Sequence, residues 1–181
     1  MRYILYLLVI VNLYGISLKD GDIVFYKDSS IDSLMFDNLI YQLNGRYSHS
    51  YIYFDRELRS ISLDFIGDKT VLDINNFDDI NYSNILIMRY RNLDSDMLRC
   101  MKEMIESIED RVIKNKIYFQ YFDINDSKER YNCVSFITNL YYKCVDRDSI
   151  KSLSGIKFDE ILFDKAFNKK YFDIIYKKDK D

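Results

Sequence analysis

Apolar and aromatic residues in the first half of the chain follow the short runs and the two-residue period that are typical of strands. Runs at 23–26, 47–54 and 85–90 predict three strands, and the stretch 60–65 alternates polar and apolar residues strictly. Residues 55–59 are predicted to form the hairpin turn that joins 47–54 to 60–65. Because hairpin-linked strands run in opposite directions, the pattern predicts a mostly antiparallel sheet.

The period changes in the second half of the chain. Apolar residues recur every three or four positions from 97 to 112, which predicts a helix capped at its start by Asp94 or Ser95. A polar loop at 123–130 leads to a second predicted helix over about 132–144. Each helix has one apolar face, so we expect both to pack against the sheet.

Two further elements complete the prediction, a helix over 30–43 and a last strand over 171–176. Several strands followed by helices are typical of an α+β fold, with a mostly antiparallel sheet packed against helices. The sequence contains no internal repeat and no flexible linker, so we expect a single domain over residues 18–181.

The first 17 residues have the pattern of a signal peptide. Arg2 supplies a positive charge, residues 3–11 form an unbroken apolar run, and Gly15 and Ser17 have the small side chains that a signal peptidase requires. The run is much shorter than the ~20 residues of a membrane-spanning helix. We therefore expect an exported protein, periplasmic or extracellular, with no stable membrane span after cleavage. An uncleaved anchor and a buried first strand of a cytosolic protein are the alternatives.

Charge and cysteine content narrow the set of partners. The chain has 26 basic and 29 acidic residues, and its basic residues are scattered, which argues against nucleic acid. One histidine and three dispersed cysteines do not form a zinc-ligand pattern, and we expect no metal or other cofactor. An odd number of cysteines leaves at least one thiol unpaired within the chain. Pairing of Cys100 with Cys144 is feasible, and the sequence leaves it open.

Cys133 is the first candidate for chemistry. It follows Asn132, a good helix cap, and the N–H groups at a helix start carry partial positive charge. Such a position favours the thiolate form of a cysteine and offers donors to an oxyanion on an attacked carbonyl. The alternative is a buried structural cysteine.

His49 and Asp64 are the other two candidates. His49 lies in a tyrosine-rich predicted strand, and a histidine of near-neutral pKa can take the thiol proton and return it to a leaving group. Asp64 lies on the neighbouring strand of the predicted hairpin, where a carboxylate would orient the imidazole. The alternatives are a surface histidine and an exposed aspartate.

Four short motifs carry a resemblance to a known family. They are GDIVF at 21–25, YSHSYIY at 47–53, SLDF at 62–65 and YNCVSFI at 131–137. In this order they resemble the circularly permuted branch of the NlpC-type papain-like superfamily, in which the histidine strand precedes the cysteine helix. That branch includes YiiX-type proteins, a poxvirus group and lecithin:retinol acyltransferase-like enzymes. The resemblance spans roughly residues 18–144 and implies a permuted papain-like (NlpC-like) fold.

The resemblance also implies roles for individual residues. Cys133 matches the nucleophile, His49 the general base and Asp64 the third polar residue. Asp22 matches the acid of the family's opening Gly-Asp pair, a turn-forming residue. Two positions after the histidine the family usually has Gly or Ala, whereas this chain has a bulky tyrosine that would narrow the pocket. The tyrosines predicted to line the substrate pocket are Tyr51, Tyr118 and Tyr131.

The sequence therefore predicts a thiol hydrolase or acyltransferase that forms a thioester with an amide substrate. By the same resemblance, a cell-wall peptide (a peptidoglycan fragment) is the natural substrate of an exported bacterial member, and any substrate is a peptide or a small acyl-containing molecule. A lipid-directed thiol acyltransferase or esterase is one alternative. The other is an exported binding domain that kept the fold and lost activity, for which the bulky Tyr51 is the supporting feature.

Overall fold

The computed structural model describes residues 16–28, 47, 49–64, 69–79, 82–119, 129–151 and 166–178. The predicted helix at 30–43 and nearly all of the predicted signal peptide lie outside the described residues. Within the described ranges, no helix is both long enough and apolar enough to cross a membrane.

A six-stranded antiparallel sheet forms the centre of the molecule. Its strands are β1 Ile23–Asp28, β2 His49–Phe54, β3 Glu57–Asp64, β4 Lys69–Asn75, β5 Tyr82–Tyr90 and β8 Phe172–Lys178. They lie side by side in the order β4-β3-β2-β1-β5-β8. The four strands predicted in the first half are confirmed within a few residues as β1, β2, β3 and β5, and the strand predicted at 171–176 is confirmed as the edge strand β8.

The hairpin turn between β2 and β3 is shorter than the predicted span 55–59. Only Asp55 and Arg56 form it, with φ angles of 52° and 70°. These left-handed angles match the right-handed twist of the flanking strands, and aspartate tolerates them better than most residues. Pairing therefore resumes at Glu57, and residues 57–59 belong to β3.

Strand β4 was not predicted from the sequence. It pairs with β3 along its whole length, from Asn75 opposite Leu58 to Lys69 opposite Asp64. As an edge strand it buries little of either face, so it lacks the strong apolar run that identifies a central strand. The alternation of polar and apolar residues over 72–75 was the pattern available in the sequence.

Two helices cover one face of the sheet, and both were predicted. Helix α1 spans Ser95–Ile113, with Asp94 accepting hydrogen bonds from the first turn, and helix α2 spans Cys133–Cys144. Helix α2 packs on β2 and β3, while α1 packs on β4 and on α2. Together with this face of the sheet they enclose the larger apolar cluster, which contains Cys133. The α+β class with an antiparallel sheet against helices is thus confirmed.

A short parallel pair of strands precedes α2. Strand β6 is Tyr118–Phe119 and strand β7 is Arg130–Tyr131. The polar loop predicted at 123–130 falls largely on residues outside the described ranges, and its last residue, Arg130, begins β7. Because β7 ends one residue before the cap of α2, this pair fixes where the helix starts.

A disulfide joins the two helices, between Cys100 of α1 and Cys144, the last residue of α2. It answers the question of pairing that the sequence left open, and it leaves Cys133 as the free cysteine. A crosslink across 44 residues stabilises a fold by about 4 kcal/mol in the chain-entropy account. The helix that begins with Cys133 is therefore held at its far end by a covalent bond.

The Gly21-Asp22 pair forms a turn, as the sequence predicted. Gly21 has φ of 86°, and a Cβ at this position would collide with a methyl carbon of Leu93. The Asp22 carboxylate, 1% exposed, accepts two hydrogen bonds from the Arg89 guanidinium, at 2.7 and 2.6 Å. It also accepts one from the backbone N–H of Lys19, at 2.8 Å. Asp22 is therefore a structural anchor of β1.

Candidate active site

Cys133 is the first residue of α2 and is buried, with 2% of its surface exposed. The helix begins here because a capping box closes it. The Asn132 side chain accepts from the Ser135 N–H at 2.7 Å, and the Ser135 hydroxyl accepts from the Asn132 N–H at 2.8 Å. The cap fixes the first turn, and the thiol lies at the positive end of the helix dipole.

His49 is the first residue of β2, at the point where β2 and β3 separate. The residues of β2 that pair with β3 are Phe54, Tyr53 and Ile52. Beyond Ile52 the carbonyl of Ser50 accepts instead from the Ser60 hydroxyl, at 2.8 Å. Helix α2 packs on both strands, so its N-terminal thiol meets the opened end of the hairpin.

The imidazole of His49 and the thiol of Cys133 are neighbours, and each shifts the pKa of the other. Burial alone would raise the pKa of Cys133, but the positive imidazolium of His49 outweighs burial and lowers it. Ser50 lowers this pKa further. Conversely, burial alone would lower the pKa of His49, and the negative charge of Cys133 raises it well above 6.5. The pair therefore favours a thiolate and an imidazolium.

The acid beside the imidazole is Asp73, in the edge strand β4. His49 Nε2 lies 3.2 Å from Asp73 Oδ2, and the side chains are 15% and 27% exposed. The N–H direction departs from the line to Oδ2, so this contact is a close ion pair rather than an aligned hydrogen bond. Burial alone would raise the pKa of Asp73, and the interaction with His49 reverses this and lowers it. Asp73 is therefore a carboxylate at neutral pH.

The predicted third residue, Asp64, is not the acid that the structure places at the histidine. Asp64 pairs with Lys69 at the far end of β3, whereas Asp73 pairs with Ser60. Asp64 lies four residues beyond Ser60, which is about 13 Å along a strand. Asp64 was predicted because it lies on the strand that follows β2 in the hairpin. The acid comes instead from β4, the next strand, which the sequence pattern did not identify.

The three tyrosines predicted to line a pocket have different surroundings. Tyr51 is 1% exposed, and its hydroxyl donates to Asp73 Oδ2 at 2.6 Å. Tyr131 is 7% exposed, and its hydroxyl donates to Glu129 at 2.7 Å. Tyr118 is 41% exposed, with the Arg130 guanidinium 5.5 Å from its ring centre. Of the three, Tyr51 is the one in contact with His49, at 4.8 Å between ring centres.

A cavity of about 340 Å³ adjoins Tyr118 and Arg130. It also contacts Lys69 and Thr70 at the end of β4 and Phe119 of β6. Tyr118 therefore borders a concave surface that neither Cys133 nor His49 lines.

Cys133, His49 and Asp73 form a row of thiol, imidazole and carboxylate. The described part of the chain contains no group of three His, Cys, Asp or Glu side chains placed to hold a metal ion. Comparisons with family models, with curated proteins and with solved structures gave no match for this chain. Any inference about function therefore depends on the geometry of the site.

Proposed function

We propose that this chain is a cysteine-dependent hydrolase or acyltransferase of the permuted NlpC-like type, which acts on an amide through a thioester. The observation that carries the proposal is a free thiol at a helix start, in contact with an imidazole that a carboxylate also contacts. Cys133 is buried and His49 and Asp73 are partly buried, so water screens their mutual electrostatic interaction less than it would at the surface. These are the groups and contacts that an acyl-transfer site requires.

In the first half of the reaction, the Cys133 sulfur attacks the carbonyl carbon of the substrate and the C–O π electrons move to the oxygen. The N–H groups of Cys133 and Val134 lie in the first helical turn, where no intrahelical acceptor exists, and they stabilise this oxyanion. The imidazolium of His49 then gives its proton to the leaving nitrogen, the C–N bond breaks, and a thioester to Cys133 remains.

In the second half, the now neutral His49 accepts a proton from water or from another acceptor as its oxygen attacks the thioester. The C–S bond breaks, the sulfur leaves as a thiolate, and the imidazolium is restored. Asp73 stays ionised throughout and stabilises the imidazolium at both ends of the cycle. Water as the acceptor gives hydrolysis, and a different nucleophile gives transfer.

The disulfide bears on the location of the protein. Disulfides persist in oxidising compartments and are rare in the cytosol. The Cys100–Cys144 bond therefore supports an exported protein, in agreement with the signal-peptide pattern of residues 1–17. In an exported bacterial protein the abundant amides are the peptide bonds of the cell wall. We therefore propose a cell-wall peptide as the substrate.

A covalent intermediate tests this proposal. The chain is incubated with soluble cell-wall peptides, with a short acyl ester and with an acyl-lipid, and intact mass is followed over time. We expect an acyl adduct on Cys133 that hydroxylamine removes, and free acid product from the peptides. Cys133→Ala should give neither, while the double variant Cys100→Ser, Cys144→Ser should still acylate. An adduct from the acyl-lipid alone would assign a lipid substrate instead. Peptide binding without an adduct or a product would indicate a binding domain that lacks activity.

A further inference from the structure

Tyr51 is the residue that departs most from the family pattern, and its surroundings give it a definite part in the proposed site. Its hydroxyl donates to Asp73 Oδ2 at 2.6 Å and accepts from Asn75 Nδ2 at 2.9 Å. The same Asn75 nitrogen donates to Asp73 Oδ1 at 2.6 Å. Tyr51 thus bonds to one oxygen of the Asp73 carboxylate and Asn75 bonds to the other. Because Asn75 also bonds to Tyr51, the three side chains form a closed ring.

The ring of Tyr51 is itself held in place. It stacks on Tyr26, with ring centres 5.5 Å apart and planes 19° from parallel. It meets the imidazole of His49 nearly at right angles, with ring centres 4.8 Å apart. These contacts on two sides fix the side-chain torsions of Tyr51. Its hydroxyl therefore presents a rigid donor to a carboxylate that β4, an edge strand, would otherwise hold loosely.

We propose that Tyr51 is a positioning residue, which together with Asn75 clamps the Asp73 carboxylate against His49 and so maintains the Cys133–His49 ion pair. This inference rests on the proposed function and adds to it a residue that acts through Asp73. The bulky side chain does not block the site, because its ring packs beside the acid with only 1% of the residue exposed. Where the family has a small residue, Tyr51 supplies a hydrogen bond to the Asp73 carboxylate.

Several charged and titratable groups of the described residues surround this cluster. His49 faces Cys133 from α2, Asp73 from β4, Tyr26 from β1 and Tyr51 from its own strand. Asp73 faces His49 and Tyr51, with the neutral amide of Asn75. Loss of the Tyr51 hydroxyl leaves Asp73 Oδ2 with its contact to His49 alone, and the carboxylate is less firmly oriented toward the imidazole. The thiolate–imidazolium pair then loses support.

The pH dependence of Cys133 alkylation tests the inference. We expect Tyr51→Phe, which keeps the ring and its packing, to raise the pH midpoint of iodoacetamide labelling by about 0.5 to 1 unit. This is about half of what one hydrogen bond to a charged group is worth, because Tyr51 acts on the thiol through Asp73. Asn75→Ala removes the hydrogen bond to the other carboxylate oxygen and should also raise the labelling midpoint. The matched control is Tyr53→Phe on the same strand, whose hydroxyl bonds to no described residue, and it should leave the midpoint unchanged.

A double-variant cycle separates this inference from the proposed function. If Tyr51 acts through Asp73, then Tyr51→Phe should add no further shift in an Asp73→Asn background. An unchanged or lowered midpoint in Tyr51→Phe, or a full extra shift in the Asp73→Asn background, would overturn the positioning role. A wild-type midpoint near that of an ordinary thiol, about 8.5, would overturn the proposed function itself, and the two failures are thus distinguishable.

Discussion

Replacement of His49 with alanine is expected to slow the alkylation of Cys133 at about pH 6 by at least ~10-fold and to move its midpoint above about 8.5. In the wild-type chain burial alone would raise the pKa of Cys133, but the imidazolium of His49 outweighs burial and lowers this pKa. Without His49, burial dominates and raises the pKa, and less than about 1% of the thiol ionises at pH 6. The greater nucleophilicity of a more basic thiolate offsets part of the loss.

The measurement is intact-mass kinetics with iodoacetamide across the pH range. The disulfide protects Cys100 and Cys144, so a single added group identifies Cys133. Cys133→Ser should show no labelling, and Tyr53→Phe should behave as the wild type. Equal labelling rates in the wild type and in His49→Ala at every pH would contradict the assignment of a nucleophile and its base.

Asp73→Asn is expected to lower turnover by about 10- to 150-fold, because it removes the negative charge of a partly buried ion pair, worth about 1.5–3 kcal/mol on the scale of interactions with charged groups. The side chain is nearly unchanged in shape, so packing is retained. Burial lowers the pKa of His49 and Asp73 helps to raise it, so loss of the negative charge brings this pKa down. The imidazolium is then less stable, and proton return to the leaving group is impaired.

Asp64→Asn is the matched comparison for Asp73→Asn, since it makes the same change in the neighbouring strand. On the strand register Asp64 lies four residues from Ser60, the position opposite Asp73. We therefore expect its turnover to stay within about twofold of the wild type, as for a substitution away from the reacting groups. Turnover on the same substrate and the labelling midpoint are both measured. A large loss of turnover in Asp64→Asn, with none in Asp73→Asn, would support Asp64, which is the acid predicted from the sequence.

Local features made much of this molecule predictable. Helix α2 could be predicted because Asn132 and Ser135, which cap it, lie close together in sequence and because its apolar face has the helical period. The same local cap placed the thiol of Cys133 at a helix start. His49 could be selected because it is the only histidine and lies in a strand-like segment.

The features that could not be predicted depend on contacts between distant segments. Asp73 meets His49 because β4 adds to the edge of β3 in one register, and the pattern of a weakly buried strand does not specify its register. The bond between Cys100 and Cys144 depends on how α1 and α2 pack together. Tyr51 was predicted to narrow a pocket, and only the positions of Asp73 and Asn75 show what its hydroxyl contacts.

The most direct test of the central claim is the titration of the imidazole by NMR. His49 is the only histidine in the chain, so the signals of labelled histidine in an untagged protein belong to this residue alone. We expect an imidazolium that persists well above pH 6.5, because Cys133 and Asp73 outweigh burial and raise the pKa of His49. Cys133→Ser should lower the pKa of His49, because the negative charge of the thiolate is then lost. A wild-type His49 that titrates at or below 6.5, unchanged by Cys133→Ser, would contradict the ion pair on which the proposed function depends.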